Sequence, residues 1–211
     1  MSRQSLFPYK LYLVISESDC KGRNFLEVAE QAILGGIDII QLREKTDELD
    51  EFIKKAVQLK EITDKYRIPL MINDNLEVAQ QVNASGIHVG NNDITPVEIK
   101  KKWNKTKCIG YSLEFINQVK NEQTAVADYL GISPVFKTPT KSDTVTEWGL
   151  DGISKIRELT DKPLVAIGNI QINNVKAVLN AGADCVAVVS AICSAADPQK
   201  ATYELKNELL K

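Results

Sequence analysis

Eight short runs rich in Val, Ile and Leu recur along the chain, and they constrain its fold more than any other feature. They are LYLVIS (11–16), IDIIQLRE (37–44), IPLMIND (68–74), GIHVG (86–90), KCIGYS (107–112), DYLGIS (128–133), PLVAIG (163–168) and DCVAVVS (184–190). Near-continuous apolarity over so few residues is typical of strands covered on both faces, as in a parallel sheet. The pattern therefore predicts eight parallel strands.

Most of these runs are followed by a segment with helical periodicity. The clearest such segments are 24–36, 49–66, 75–86, 172–184 and 198–211. Eight strand–helix units predict a single-domain (β/α)₈ TIM barrel over residues 1–211, at the small end of the usual size range of that fold. An open doubly wound sheet is the alternative, but it would normally carry a glycine-rich turn after an early strand, and ISESDCKG (15–22) does not provide one.

Composition and charge narrow the function classes. Hydrophobic residues make up 44% of the 211 residues and the formal net charge is −2, so we expect neither nucleic acid nor a membrane as partner. No apolar run approaches the roughly 20 residues of a membrane span, and the opening MSRQSLFPYK does not resemble a signal peptide. Four cysteines without a CxxC pair are expected to be buried, reduced thiols. A cytoplasmic enzyme is predicted, and the sequence leaves a homo-oligomer open.

Polar residues collect where the predicted strands end. In chain order they are Gln41, Arg43, Lys45, Asn73, Asp74, His88, Asp93, Ser112, Thr138, Thr140, Lys141, Gly168 and Ser190. The opposite ends of the strands lack such a set. Since chemistry in a (β/α)₈ barrel sits at the carboxyl ends of the strands, we expect the active site there.

Three cations and two carboxylates stand out within this set. Arg43, Lys45 and Lys141 suit phosphate oxygens, whereas Asp74 and Asp93 suit Mg²⁺, which itself favours phosphate as a further ligand. Together they indicate a diphosphate held by a metal ion and by fixed positive charges. The alternative is a solvated loop in which Arg43 and Lys45 pair with Glu44 or Asp47.

The last two units indicate a second anion site. Gly168 ends the seventh predicted strand, and Ser190 stands near a helix start after the eighth. In these barrels the loops after strands seven and eight often bind a monophosphate through backbone N–H groups. Gly and Ser also end strands for steric reasons alone, so this signal is weak by itself.

The motifs QLREK, INDN, HVGNND, SPVFKTPTK, VAIGNI and VAVVSAI, taken in order, resemble those of the thiamine-phosphate synthases, also called thiamine-phosphate pyrophosphorylases. The resemblance runs from the first strand to the last helix. It implies a transferase that joins hydroxymethylpyrimidine diphosphate to hydroxyethylthiazole phosphate and releases pyrophosphate. It also implies small-molecule substrates and Mg²⁺ as the cofactor.

The resemblance also assigns expected roles. The pyrimidine diphosphate would be bound by Gln41, Arg43, Lys45, Asn73, Ser112 and Lys141; the thiazole phosphate by Thr138, Thr140, Gly168, Asn169, Val189 and Ser190; and Mg²⁺ by Asp74 and Asp93. Arg43, Lys45 and Lys141 would be catalytic by stabilising the departing negative charge. No dedicated nucleophile or strong base is needed, because the aminopyrimidine can stabilise a carbocation-like methylene that the thiazole nitrogen then captures.

Two positions depart from the family pattern. Asn169 stands where the family usually has a second glycine, and Asn91 stands where it more often has Gln. Asn tolerates positive φ better than other non-glycine residues, so we expect the turn at Asn169 to survive. The only histidine, His88, is expected to be packed and hydrogen-bonded rather than a general base.

Three other functions remain as alternatives. A thiazole tautomerase on the same barrel would need no diphosphate site. A phosphosugar isomerase or epimerase would need a positioned acid–base pair. A non-catalytic binding protein on this scaffold is the third, since a fold does not by itself imply an activity.

Overall fold

The computed structural model describes residues 7–45, 47–138 and 146–211. It contains eight strands, one for each predicted run. They are β1 (Leu11–Ile15), β2 (Ile39–Leu42), β3 (Leu70–Asn73), β4 (Gly86–Val89), β5 (Cys108–Leu113), β6 (Tyr129–Ile132), β7 (Leu164–Ile167) and β8 (Cys185–Val188).

The strands form a closed parallel barrel in sequence order. Each strand pairs with the next, and β1 closes the ring on β8, with Tyr12 opposite Ala187. The predicted (β/α)₈ barrel is thereby confirmed, and the open doubly wound sheet was the wrong alternative. Every strand is parallel to its neighbours, so all carboxyl ends lie at one rim.

The helices follow from caps and apolar stripes. They are α1 (Phe25–Leu34), α2 (Leu49–Tyr66), α3 (Leu76–Gln81), α4 (Pro96–Lys102), α5 (Glu122–Val126), α6 (Gly149–Leu159), α7 (Val175–Asn180), α8 (Ser190–Cys193) and α9 (Pro198–Leu210). Thr95 and Glu98 form a reciprocal capping box at the start of α4. None of the helices in these described ranges is long and apolar enough to cross a membrane.

The alternation of side chains along each strand divides the core into two layers. Leu11, Leu13 and Ile15 of β1 point outward and pack in the layer between the barrel and its helices. Tyr12 and Val14 point into the barrel with a second, smaller cluster. The same parity decides which residues can reach the cavity at the rim.

The cysteines largely follow the prediction. All four thiols are free, and Cys20, Cys185 and Cys193 are buried. Cys108 is only partly buried, because it lies at the first position of β5, near the amino-terminal end of the barrel.

Candidate active site

A cavity opens at the carboxyl ends of the strands, and twelve of the predicted site residues line it. They are Gln41, Arg43, Lys45, Asn73, Asp74, Asp93, Ser112, Thr138, Gly168, Asn169, Val189 and Ser190. The other two, Thr140 and Lys141, lie outside the described residues. Residues far apart in sequence therefore meet at one rim, while the role of each in binding stays a prediction.

Every second side chain at and after the end of β2 lines the cavity, namely those of Gln41, Arg43 and Lys45. Gln41 is buried, and its Nε2 donates a hydrogen bond to the Tyr12 hydroxyl at 2.8 Å. The Arg43 backbone N–H donates to the Ile15 carbonyl at 2.9 Å, which holds the start of the loop against β1. Within the described ranges, the Arg43 guanidinium makes no ion pair, so its charge remains available to an anion. Lys45 forms an ion pair with Asp74, which follows the neighbouring strand β3.

On the side away from the cavity, the acidic residues that follow β2 form ion pairs with a buried lysine of α2. The Lys55 side chain is only 8% exposed, and its Nζ lies 2.6 Å from Glu17, 2.8 Å from Asp47 and 3.6 Å from Glu44. Burial lowers the pKa of Lys55, but these carboxylates outweigh it and the pKa is raised overall. Burial raises the pKa of Glu44.

These ion pairs overturn one alternative from the sequence. The solvated-loop interpretation paired Arg43 and Lys45 with neighbouring acidic residues. Instead, Glu44 and Asp47 turn away from the cavity and pair with Lys55. Arg43 and Lys45 line the cavity.

Two carboxylates from neighbouring strand ends face each other next to Lys45. Asp74 has φ of +60°, and its backbone N–H donates to the His88 carbonyl at 2.8 Å. The Gly90 N–H donates to Asp93 Oδ2 at 2.8 Å. Burial raises the pKa of Asp93, and its contact with Asp74 raises it further. A cation between the two carboxylates would relieve this repulsion.

Below the rim, polar side chains form a continuous chain of hydrogen bonds through the barrel interior. The Tyr12 hydroxyl lies 3.1 Å from the Tyr129 hydroxyl, which lies 2.9 Å from His88 Nδ1. His88 Nε2 in turn lies 2.8 Å from Ser112 Oγ. His88 is therefore hydrogen-bonded through both ring nitrogens, as the sequence analysis predicted, and Gln41 completes the chain at the Tyr12 end.

The rim after β7 and β8 offers backbone groups rather than charges. Gly168 has φ of +116°, and a Cβ there would lie 2.6 Å from the Pro134 Cβ, so the position requires glycine. Asn169 has φ of +49°, as expected for a turn that survives the replacement of glycine. Its Nδ2 donates to the Lys137 carbonyl at 3.2 Å, so the side chain links two rim loops. Ser190 is the first residue of α8.

Sequence reasoning missed Tyr12, Tyr129 and Lys55. The two tyrosines lie within apolar strand runs and were counted as strand residues. Their position was nevertheless readable, because Tyr12 alternates with Leu11 and Leu13 and must face the other side of the sheet. Lys55 carried no local signal, since its partners come from three separate positions in the chain.

Comparisons with known proteins identify the family of the chain. A family model described as "Thiamine monophosphate synthase" matches residues 11–192. A thiamine-phosphate synthase of Albidiferax ferrireducens is 41% identical over 93% of this chain and 90% of its own length. One from Leptospira biflexa is 41% identical over 94% of this chain and 96% of its own.

Solved structures give the same result. The structure of a thiamine phosphate pyrophosphorylase from Pyrococcus furiosus superimposes with a TM-score of 0.87 at 32% identity, covering 99% of this chain and 97% of that one. A 3-hexulose-6-phosphate synthase structure, at 18% identity and a TM-score of 0.69, covers 94% of this chain and 99% of that one, and shows the fold alone. The extent of these matches shows that the chain is an enzyme of the thiamine-phosphate synthase family.

Proposed function

We propose that this enzyme condenses hydroxymethylpyrimidine diphosphate with hydroxyethylthiazole phosphate, giving thiamine phosphate and pyrophosphate through a dissociative, Mg²⁺-assisted step. The observation that carries the proposal is the convergence of Arg43, Lys45, Asp74 and Asp93 on one side of a single cavity. A tautomerase acting on the thiazole phosphate alone would have no use for this group of charges.

The charged side of the cavity is assigned to the pyrimidine diphosphate. Arg43 and Lys45 would bind its phosphate oxygens, since a guanidinium and an ammonium form strong charge-assisted hydrogen bonds with them. The resemblance adds Lys141 to this set. Gln41 and Asn73 would contact the pyrimidine, and both are buried at the strand ends beneath the cations.

Asp74 and Asp93 fit the metal ion that the family resemblance implies. No cluster of three or more His, Cys, Asp or Glu side chains suited to a metal occurs in residues 7–45, 47–138 and 146–211. Two carboxylates with a raised Asp93 pKa suit a hard cation that takes its other ligands from phosphate oxygens and water. When bound, Mg²⁺ would neutralise charge on the diphosphate.

The opposite side of the cavity is assigned to the thiazole phosphate. Gly168, Asn169 and Ser190 would bring backbone groups to the phosphate, with Val189 alongside. Thr138 lines the same cavity, and the resemblance adds Thr140. Holding the thiazole by its phosphate would place its ring nitrogen in line with the pyrimidine methylene, which is the positional part of the catalysis.

The reaction then needs little from acid–base groups. The bond between the pyrimidine methylene and the diphosphate oxygen breaks, and its electrons leave with the diphosphate. The thiazole nitrogen lone pair forms the new carbon–nitrogen bond to the carbocation-like methylene. Arg43, Lys45 and Lys141 would stabilise the charge that builds on the diphosphate, and removing one such contact typically costs about 10²–10³ in rate.

The direct test supplies the purified enzyme with both substrates and Mg²⁺ and measures thiamine phosphate and pyrophosphate together. Equal amounts of the two products are expected, with neither formed when one substrate is omitted or when EDTA replaces Mg²⁺. Isomerisation of the thiazole phosphate without any thiamine phosphate would instead establish the tautomerase. Binding of both ligands without any product would contradict the proposed reaction.

A further inference from the structure

We propose that Tyr12 and Tyr129 are positioning residues that orient the protons of a hydrogen-bonded chain across the barrel, so that the Ser112 hydroxyl donates into the cavity. The inference rests on the proposed function and on the family resemblance, which assigns Ser112 to the pyrimidine diphosphate. Two buried tyrosines and a defined tautomer of His88 would thereby orient the Ser112 hydroxyl before substrate binds.

The chain is continuous and crosses the barrel interior. It runs from Gln41 on β2 through Tyr12 on β1, Tyr129 on β6 and His88 on β4 to Ser112 on β5, with successive distances of 2.8, 3.1, 2.9 and 2.8 Å. Both tyrosines are no more than 1% exposed. Its two ends, Gln41 and Ser112, line the cavity on different strands.

The backbone makes room for the centre of the chain. A Cβ at Gly110 would lie 2.4 Å from both the Tyr129 hydroxyl and His88 Nδ1. Any side chain there would therefore occupy the space in which the phenol meets the imidazole. Glycine at this position of β5 permits the contact that joins the two halves of the chain.

The orientation of the Gln41 amide gives the hydrogen-bonded chain its direction in this structure. Gln41 approaches Tyr12 through Nε2, and an amide nitrogen can only donate. The Tyr12 oxygen accepts that hydrogen bond, so its own proton goes to Tyr129, whose proton then goes to His88 Nδ1. Burial raises the pKa of both phenols, so each carries the proton that this scheme requires.

The direction of the chain then determines the far end. Because Nδ1 of His88 accepts, a ring with a single proton carries it on Nε2 and donates it to Ser112 Oγ. The Ser112 proton is left to point elsewhere, and the residue lines the cavity where an anion would sit. At the other end, the Gln41 Oε1 is left as an acceptor, which suits an amino group on the pyrimidine.

One other direction satisfies every member of the chain. If Gln41 instead accepted from Tyr12 through Oε1, every proton would reverse, His88 would carry its proton on Nδ1, and Ser112 would donate to Nε2. Ser112 would then have no proton left for the diphosphate. The tautomer of His88 therefore reports which direction the chain has.

His88 is the only histidine in the protein sequence. Its imidazole signals therefore need no sequence-specific assignment before the tautomer is read. The untagged enzyme, labelled with ¹⁵N in the imidazole, is examined at pH 7 by long-range ¹H–¹⁵N correlation NMR. The expected spectrum shows a protonated Nε2 and an unprotonated Nδ1. A proton on Nδ1, alone or in a doubly protonated ring, would overturn the proposal, and this readout does not depend on activity.

Variants then test the tyrosines. In Tyr129→Phe the donor to Nδ1 is lost, so the ring is expected to shift from the single tautomer toward a mixture. The matched control is Tyr111→Phe, whose phenol lies on β5 but points outward to Asn91 and should leave the His88 spectrum unchanged. Tyr12→Phe breaks the chain one step earlier and should also weaken the single-tautomer pattern. An unaltered spectrum in both Tyr12→Phe and Tyr129→Phe would overturn the role of the tyrosines.

Activity gives a separate readout. With Tyr129→Phe, kcat/KM for the pyrimidine diphosphate is expected to fall by roughly tenfold or more, as for a weakened hydrogen bond to a charged group. The KM for the thiazole phosphate should change by less than about twofold, since that substrate is assigned to the other side of the cavity. An equal rise in the KM of both substrates would contradict a specific positioning role. If the wild-type enzyme formed no thiamine phosphate, the proposed function would be wrong. The NMR spectrum would still test the direction of the hydrogen-bonded chain, because it does not depend on activity.

Discussion

Replacing Lys55 by Met tests whether the ion pairs of Lys55 with Glu44 and Asp47 stabilise the segment that carries Arg43 and Lys45. Lys55 is 8% exposed and Glu44 is 5% exposed, so the substitution leaves a buried carboxylate without its counter-charge. Breaking a buried ion pair in this way typically costs about 3–5 kcal/mol. Glu17 is 61% exposed and can turn to water, so it adds little to that cost. We expect the free energy of unfolding at pH 7 to fall by about 3–5 kcal/mol, measured by urea denaturation.

The pH dependence of this loss gives a sharper criterion. Burial raises the pKa of Glu44 in the folded protein, so this carboxyl favours folding while protonated. Its contribution falls as the pH rises from the unfolded pKa of about 4.3 through the folded one. Without Lys55 the folded pKa rises further, so Lys55→Met should cost less at pH 4 than at pH 7. Each further pKa unit corresponds to about 1.4 kcal/mol.

Two controls isolate the buried charge. Lys54→Met removes the preceding lysine of α2, whose side chain is 65% exposed and 3.4 Å from Glu51, and should change stability by less than about 0.5 kcal/mol. The double variant Glu44→Gln with Lys55→Met should recover the part of the loss that Glu44 causes. Asp47, whose side chain is 16% exposed, still lacks its partner in that variant, so the recovery should be partial. A Lys55→Met loss that is the same at pH 4 and pH 7, or that is undiminished in the double variant, would refute the reasoning.

Two further substitutions test the opposite sides of the cavity. Asp93→Asn should lower the rate of pyrophosphate release by about 10²–10³ or more while the circular dichroism spectrum stays that of the wild type; wild-type rates would contradict the metal assignment. Gly168→Ala should destabilise the protein more than Gly149→Ala in thermal unfolding. Both positions have positive φ, but only at Gly168 would the new Cβ lie 2.6 Å from Pro134, whereas nothing lies within 4 Å at Gly149. Equal shifts in Tm would show that the clash is relieved at little cost.

The fold was predictable because its signals are local and repeated. Each apolar run became a strand, although the strands are shorter than the runs, as β2 shows by covering Ile39–Leu42 within 37–44. The ends were less predictable because a strand ends where its pairing with the neighbouring strands ends, and the register of that pairing does not follow from residue type alone. Helix α2 matched its segment over Leu49–Tyr66, since a long apolar stripe carries more information than a short run.

The residues that line the cavity were predictable where the alternation of side chains along a strand and the position of the strand end determine them. Gln41, Arg43 and Lys45 are spaced two residues apart, so their side chains point to the same side, and all three line the cavity. The partners of these residues were not predictable in the same way. Lys45 pairs with Asp74 from the next strand end, and Glu44 pairs with Lys55 from α2, and such contacts depend on how separate segments are placed.

The two sides of the cavity differ in the kind of positive potential they offer, and this difference bears on the proposed reaction. The β2–β4 side carries full charges, including Arg43 and the Lys45–Asp74 pair, whereas the β7–β8 side carries backbone groups around Gly168 and Asn169. A departing diphosphate gains charge during the reaction, so it needs groups whose attraction grows with that charge. A phosphate that remains on the product undergoes no such change and needs only a fixed anchor, because tighter binding of it would stabilise substrate and transition state equally. Under the proposed function, the charged side therefore lowers the barrier and the backbone side sets the geometry. Substitutions on the first should reduce kcat, and substitutions on the second should mainly raise the KM of the thiazole phosphate.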